Sequence, residues 1–322
     1  MRLAALAEAI GARLQGPPDL EILRVAAPHE ADPAALIGAF LPRFRSQARR
    51  TAAGAALTGE APVDLPAGCA RLICEDPRAA WGQALRRLHP RPIIQPPPVG
   101  LHPLSAVDPT ARLGRDVSVG PFAVVGPGAE LGDGVQLFAG VVVGAHAVLG
   151  PGCVLHPRAT VLDHCTLGAG VWLGTGAVIG SPGFGLDGAG RVPHVGRVEI
   201  GAGATVGAQS CVDRGTVGPT VIGAHAHLDN LVQVGHNARV GDGAVLGGQV
   251  GLAGGAVVEA GAVVGGQAGV AGQAVVGAGA RIAAQSGVTR ALPPGGEYSG
   301  HPAEPNRARL RRLARLRRLV DR

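Results

Sequence analysis

Counting by six from Val107 lands on Leu113, Val119, Val125, Leu131, Leu137, Val143, Leu149, Leu155, Val161, Leu167, Leu173 and Ile179, so that thirteen consecutive positions are leucine, isoleucine or valine. The series resumes at Ile200, Val206 and Val212, shifts, and runs again from Ile222 to Val288, making twenty-eight aliphatic registers. Four residues after each stands a second, mostly small series that includes Val117, Ala123, Ala129, Cys153, Ala159, Cys165, Ala226 and Ala238. Two inward positions per hexapeptide, one larger and one small, describe a mainly β chain wound as a parallel β-helix. A branched aliphatic residue lines each flat face, a small one fits where the chain bends, and glycine accommodates the turn. Three hexapeptides make one triangular coil, so the chain encodes about nine coils, a prism about 45 Å long at roughly 4.8 Å per coil. Cys153 and Cys165 occupy the small inward register, which makes them core filler. The lattice is broken twice, by a spacing of 21 residues from Ile179 to Ile200 and of 10 from Val212 to Ile222. Insertions in a solenoid emerge on its surface, commonly at the working face.

Composition agrees with such a lattice. The 322 residues include 53 glycines and 26 prolines but only five phenylalanines, two tryptophans and one tyrosine, while 46% are hydrophobic. No lysine occurs, which excludes Schiff-base and Walker-type phosphate chemistry; a phosphate here meets arginine or backbone N–H. Five cysteines without a CxxC pair indicate neither a disulfide framework nor a thiolate zinc site and suit a reducing cytoplasm. The first fourteen residues, MRLAALAEAIGARL, read as an amphipathic helix rather than a signal peptide, because Glu8 interrupts the apolar run. Residues 244–280 are apolar on average, yet their glycines, Glu259, Gln267 and Gln273 argue against a membrane span.

Four segments follow. Residues 1–90 lack the six-residue period and alternate helix-like and strand-like stretches, as in a small α/β domain; 91–103 form a proline-rich connector; 104–292 carry the β-helix; 293–322 end in a basic helical segment. In that last segment Leu310, Leu313, Leu316, Leu319 and Val320 fall at helical spacing among eight arginines from Arg307 to Arg322. The expectation is a helix that seals the prism and faces an acidic partner, with a solvated or self-associating face as the alternative. No aromatic residues interleave to stack bases, so nucleic acid is disfavoured.

The chemistry centres on His236. It lies two residues after Val234 and therefore points outward; adding one coil at a time gives Gly254, Gly272 and Arg290 along the same edge. An imidazole, two bare positions and a guanidinium make a groove about 14 Å long, suited to an extended arm with its reactive end at the histidine and a phosphate at the arginine. A neutral histidine takes the proton of an attacking amine, and an N–H beside Gly254 holds the oxygen of a tetrahedral intermediate, without a covalent enzyme intermediate. Asp229, seven residues earlier, would orient the imidazole directly or from a neighbouring subunit, or simply serve a turn. His225, His227 and His236 together also raise a zinc reading, but they occupy different lattice offsets, and convergence would need a partner chain.

The run VGAQSCVDRGTVGPTVIGAHAHLDNLVQVGHNARVGDG (206–243), the loop IGSPGFG (179–185) and the tail GEYSGHPAEPN (296–306) resemble the UDP-3-O-acylglucosamine N-acyltransferases of lipid A biosynthesis, over almost the whole chain. The resemblance implies a left-handed β-helix in an obligate homotrimer and transfer of a 3-hydroxyacyl group from acyl carrier protein to the 2-amine of UDP-3-O-(3-hydroxyacyl)glucosamine. It implies no cofactor beyond the carrier's phosphopantetheine, no bound metal and no membrane insertion. It assigns His236 as general base, Gly254 as oxyanion amide, and Asp229, Gln233 and Asn237 as polar residues of the same motif; Arg290 falls near the phosphopantetheine path. Phe40 and Phe44 match the stretch where the family stacks its uracil, with the usual asparagine and tyrosine pattern altered. Gln273 replaces a second histidine near the carrier arm, and the arginine helix resembles the carrier-docking element. Small residues at Gly287 and Ala284 suggest room for a long acyl chain. The related UDP-N-acetylglucosamine O-acyltransferases share the β-helix without the N-terminal domain; a non-catalytic β-helical scaffold and a β-helical zinc hydrase are the remaining alternatives.

Overall fold

The computed structural model describes residues 1–90 and 94–320, with side chains of the last helix described through Leu316; the connector residues 91–93, the apolar side chains of Leu319 and Val320, and residues 321–322 lie outside. The chain forms two compact units, 1–95 and 96–322.

The first unit is a five-stranded sheet ordered β1 (Arg13–Gln15), β5 (Ala70–Ile73), β4 (Ala55–Thr58), β3 (Ala35–Gly38), β2 (Arg24–Val25), parallel except for β1 against β5. Alternating side chains feed two cores, as the strand pleat requires. Leu36, Leu57 and Leu72 meet Leu3 and Leu6 of helix α1 (Leu3–Ala9) and Ala80 and Ala84 of α3 (Pro77–Leu88), while Ile37 and Ala56 join Ala48 of α2 (Pro42–Ala48). Helix α3 starts sharply because the Asp76 carboxylate accepts from the N–H groups of Arg78 (3.0 Å) and Ala79 (3.1 Å) and Pro77 opens its first turn. The N-terminal helix is shorter than the apolar spacing suggested: Gly11, at φ +65°, turns the chain into β1.

The second unit is the parallel β-helix, with three faces of ten, nine and twelve strands visited in rotation. Away from the two interruptions each rung pairs with the residue eighteen further on, as Val125 with Val143 and Leu137 with Leu155; across them the spacing widens, as from Leu167 to Ile200 and from Val206 to Leu228. The aliphatic and small series fill one continuous core in which Leu137, Val143, Ala147, Cys153, Leu155 and Cys165 are fully buried. Burial pushes the Cys153 thiol up to about 11, as expected of inert filler. The lattice starts earlier than the expected residue 104, since Gly100–Leu101 already pairs with Ser118–Val119, and it continues past 292, where Glu297–Ser299 pairs with Arg281–Ile282.

Glycine serves the corners in two ways, taking the left-handed turn as expected at Gly134 (φ 69°) and Gly261 (φ 65°) and also making room between coils. The glycine after the aliphatic residue is required by the neighbouring coil: a Cβ on Gly132 would stand 2.6 Å from the Pro151 nitrogen. The left-handed turn falls two residues later and is taken by glycine at some corners and by other residues elsewhere, among them Asn237 (φ 59°) and Gln273 (φ 62°).

Helix α4 (Asn306–Val320) does not seal the prism. Leu292, Tyr298 and Ala303 close the core, with the Tyr298 hydroxyl donating to the Pro293 carbonyl (3.0 Å), whereas Leu310, Leu313 and Leu316 of α4 are exposed. No described helix is long and apolar enough to cross a membrane.

Candidate active site

Both lattice interruptions open at one corner, the passage from the ten-stranded to the nine-stranded face. Ile179 and Val212 lie on the former, Ile200 and Ile222 on the latter, and His236, between Val234 and Val240, occupies the same corner. Pairing of Val234 with Leu252, Leu252 with Val270 and Val270 with Val288 stacks Gly254, Gly272 and Arg290 below His236 along this edge. The column read from spacing is thus a physical edge.

Asn237 sets the state of the imidazole. Its Nδ2 donates to the Val217 carbonyl (2.9 Å) and its Oδ1 accepts from the Thr216 N–H (2.9 Å), which fixes the amide orientation. That oxygen lies 3.3 Å from His236 Nδ1, and the Thr216 hydroxyl lies 3.2 Å from the same nitrogen. An amide oxygen only accepts, so Nδ1 carries the proton and Nε2 keeps its lone pair. Nε2 faces Gly254, where a Cβ would stand 2.5 Å away, so a side chain there would block it. The Gly254 N–H donates to no carbonyl among the described residues. Gln273, in the left-handed position one coil below, folds its amide across Gly255, and Arg290 is exposed at the lower end.

Asp229 is not part of this cluster within one chain. It sits at a different corner, between Leu228 on the twelve-stranded face and Val234, because seven residues carry the chain one face round. There it is exposed and its carboxylate accepts from the Asn230 N–H (2.7 Å). The buried carboxylate beside the imidazole is Asp213, whose Oδ1 accepts from the Ser181 hydroxyl (2.7 Å) and Oδ2 from Gln233 Nε2 (2.8 Å). Burial raises its pKa above the ordinary carboxylate value, opposed by the Ser181 hydrogen bond, by the attraction of the His236 and His194 rings whenever they are protonated, and by Gln233. His194, delivered by the longer insertion, packs edge-on against His236 with ring centroids 5.0 Å apart. Spacing arithmetic missed Asp213, His194, Ser181 and Thr216; the signal available was that SPGFG and DRG fall in the two interruptions.

Beside the column, a trough of about 610 Å³ runs over Gly251, Gly269 and Gly287 and ends at His301. The room expected at Gly287 is taken by the His301 ring, which lies where a side chain on Gly287 would go. Ala284 is exposed and does not line the trough. In the first unit, Phe40 and Phe44 line a cavity of about 680 Å³ with Arg24, Arg43, Arg78 and Trp81, and the Arg43 guanidinium lies 4.6 Å over the Phe44 ring. His225 occupies another edge and His227 lies on the twelve-stranded face, where its Nδ1 is 2.9 Å from the Thr205 hydroxyl, and no cluster of three metal-ligating side chains exists among the described residues.

No protein-family model matches the chain. It is 49% identical to the UDP-3-O-acylglucosamine N-acyltransferase of Granulibacter bethesdensis, over 99% of this chain and 94% of that protein, and 50% identical to the enzyme of the same name from Syntrophotalea carbinolica, over 98% and 92%. Among solved structures, the UDP-N-acetylglucosamine acyltransferase of Arabidopsis superposes with a TM-score of 0.61 at 28% identity, covering 66% of this chain and 77% of that one. The fold is accordingly the left-handed parallel β-helix of hexapeptide acyltransferases. With identity of this order to named relatives along nearly the full length of both partners, the chain belongs to the UDP-3-O-acylglucosamine N-acyltransferase family.

Proposed function

We propose that the protein moves a (3R)-3-hydroxyacyl group from acyl carrier protein to the 2-amine of UDP-3-O-(3-hydroxyacyl)glucosamine, the N-acylation of lipid A biosynthesis, as a cytoplasmic homotrimer. The observation that carries the reading is the pairing of a proton-accepting His236 Nε2 with the bare Gly254 and its free N–H. His236 takes the amine's proton as the C–N bond forms on the thioester carbonyl; the Gly254 N–H holds the oxyanion; the thiolate leaves with the proton from His236. No metal or bound cofactor enters these steps. Gln273 and Arg290 guide the phosphopantetheine arm along the edge, the guanidinium meeting its phosphate. Gln233 and Asn237 act through Asp213 and the imidazole. Phe40 and Phe44 supply ring faces for the uracil, and the arginines beside them suit a diphosphate. Asp229, remote within its own chain, contributes to the imidazole of a neighbouring subunit. The basic face of α4 docks the acidic carrier protein.

The test is turnover of the purified protein with 3-hydroxyacyl carrier proteins of graded length and with both nucleotide-sugar acceptors. Acylation of the amine acceptor is expected, and His236→Ala should lower it by about 10²–10⁴-fold and Gly254→Ala by about 10²–10³-fold in a folded trimer. Unchanged turnover in His236→Ala, or transfer only to UDP-N-acetylglucosamine, would overturn the assignment.

A further inference from the structure

The residue this mechanism leaves unused is His194. It is 9% exposed, yet its Nε2 has no hydrogen-bond partner among the described residues. Its Nδ1 lies 2.9 Å from the Val192 carbonyl, which only accepts, so Nδ1 holds the proton and Nε2 presents a buried lone pair. A buried polar atom without a partner is costly to folding, so its retention calls for a reason. Gly183 keeps a side chain off that nitrogen. A Cβ on Gly183 would stand 2.8 Å from Nε2 and 3.0 Å from the His236 Cβ. The charged and titratable groups that act on it are Asp213 and His236; Arg214 is turned away, donating to the carbonyls of Gly180 (2.7 Å) and Asp163 (2.9 Å).

The chemistry of the reaction supplies the missing partner, and the inference rests on the N-acyltransferase reading above. An amine of the α-amino type titrates at about 7.7–8.0, so near neutral pH the acceptor arrives largely as an ammonium ion. Two protons must leave its nitrogen before an amide exists, and His236 handles one. We infer that His194 Nε2 takes the other, converting the bound ammonium into the nucleophilic amine. The steps balance. The ammonium gives a proton to His194, leaving a neutral amine and an imidazolium held between the Val192 carbonyl and the field of the Asp213 carboxylate. The amine lone pair forms the C–N bond and the carbonyl oxygen becomes an oxyanion at Gly254. His236 removes the second proton, the carbonyl reforms, the C–S bond breaks, and the departing thiolate takes that proton. His194 then releases its proton to solvent, so ammonium and thioester become amide, thiol and one proton. The ring centroids lie 5.0 Å apart, within the roughly 6 Å that two hydrogen bonds of about 3 Å to one shared nitrogen would span.

The experiment compares full-length wild type with His194→Phe and His194→Gln, measuring kcat/KM for the amine acceptor from pH 6.5 to 9 at saturating acyl carrier protein. Phenylalanine keeps the ring packing and glutamine keeps a hydrogen-bond acceptor, but neither accepts a proton. For both, the ratio to wild type is expected near one above the titration of the amine and to fall close to tenfold for each pH unit below it. A ratio that is constant with pH, whether depressed or not, overturns the inference, because a packing or hydrogen-bonding role lowers the rate equally at every pH. Absence of wild-type turnover at all pH values would instead defeat the functional reading itself.

Discussion

Asp213 shows how much of the site is invisible to spacing. Its carboxylate is buried between Ser181 and Gln233, and burial raises its folded pKa above the unfolded one. The folded state therefore binds a proton more readily than the unfolded chain, so the ionised group opposes folding at neutral pH and the penalty is relieved as pH falls through the raised value. Asp213→Asn should accordingly melt higher than wild type at neutral pH, with the difference shrinking as the medium is acidified, while acyl transfer falls; a melting difference that grows on acidification would contradict the burial argument. His236, Gly254 and Arg290 were legible because the lattice from Ile222 to Val288 is unbroken, and a coil of constant length turns counting into geometry. Asp213, Thr216 and His194 were not, because they stand inside the interruptions, where a residue number no longer gives a face. The same arithmetic removes Asp229 from the intrachain site, since seven residues are one face and one step.

At the scale of elements, the corner insertions and helix α4 hold what the repeat cannot encode. Helical spacing from Leu310 to Leu316 announced α4, but it could not say whether its apolar side would be covered, and Leu292 and Tyr298 close the core instead. The helix keeps Arg307, Arg311 and Arg315 exposed. Reversing these three to glutamate should raise KM for acyl carrier protein roughly tenfold and flatten its salt dependence, each exposed attraction being worth about 0.5 kcal/mol and 1.4 kcal/mol corresponding to a factor of ten. Titration calorimetry with the carrier protein reads this directly, and an unaltered affinity would move docking to another surface. The acceptor KM should not move.

For the molecule as a whole, the six-residue period specified the winding, the faces and the core, whereas it was blind to the first unit, whose strands follow local alternation and whose cavity at Phe40 and Phe44 depends on the chain folding back from β3 into α2. Each coil rests only on its neighbours, so a defect in the middle of the stack is shared by two interfaces. Leu155, fully buried, is such a position. Leu155→Ala should cost about 2–5 kcal/mol of unfolding free energy by chemical denaturation, with activity per folded molecule unchanged because His236 lies three coils away; a lost activity in folded material would mean that rungs communicate at a distance. Both excursions depart from a single edge and rejoin the stack with every later rung in step. That edge is therefore a splice point: segments exchanged there would alter what hangs above the imidazole while the girder beneath stays as it is, which makes reagent choice separable from scaffold in this protein.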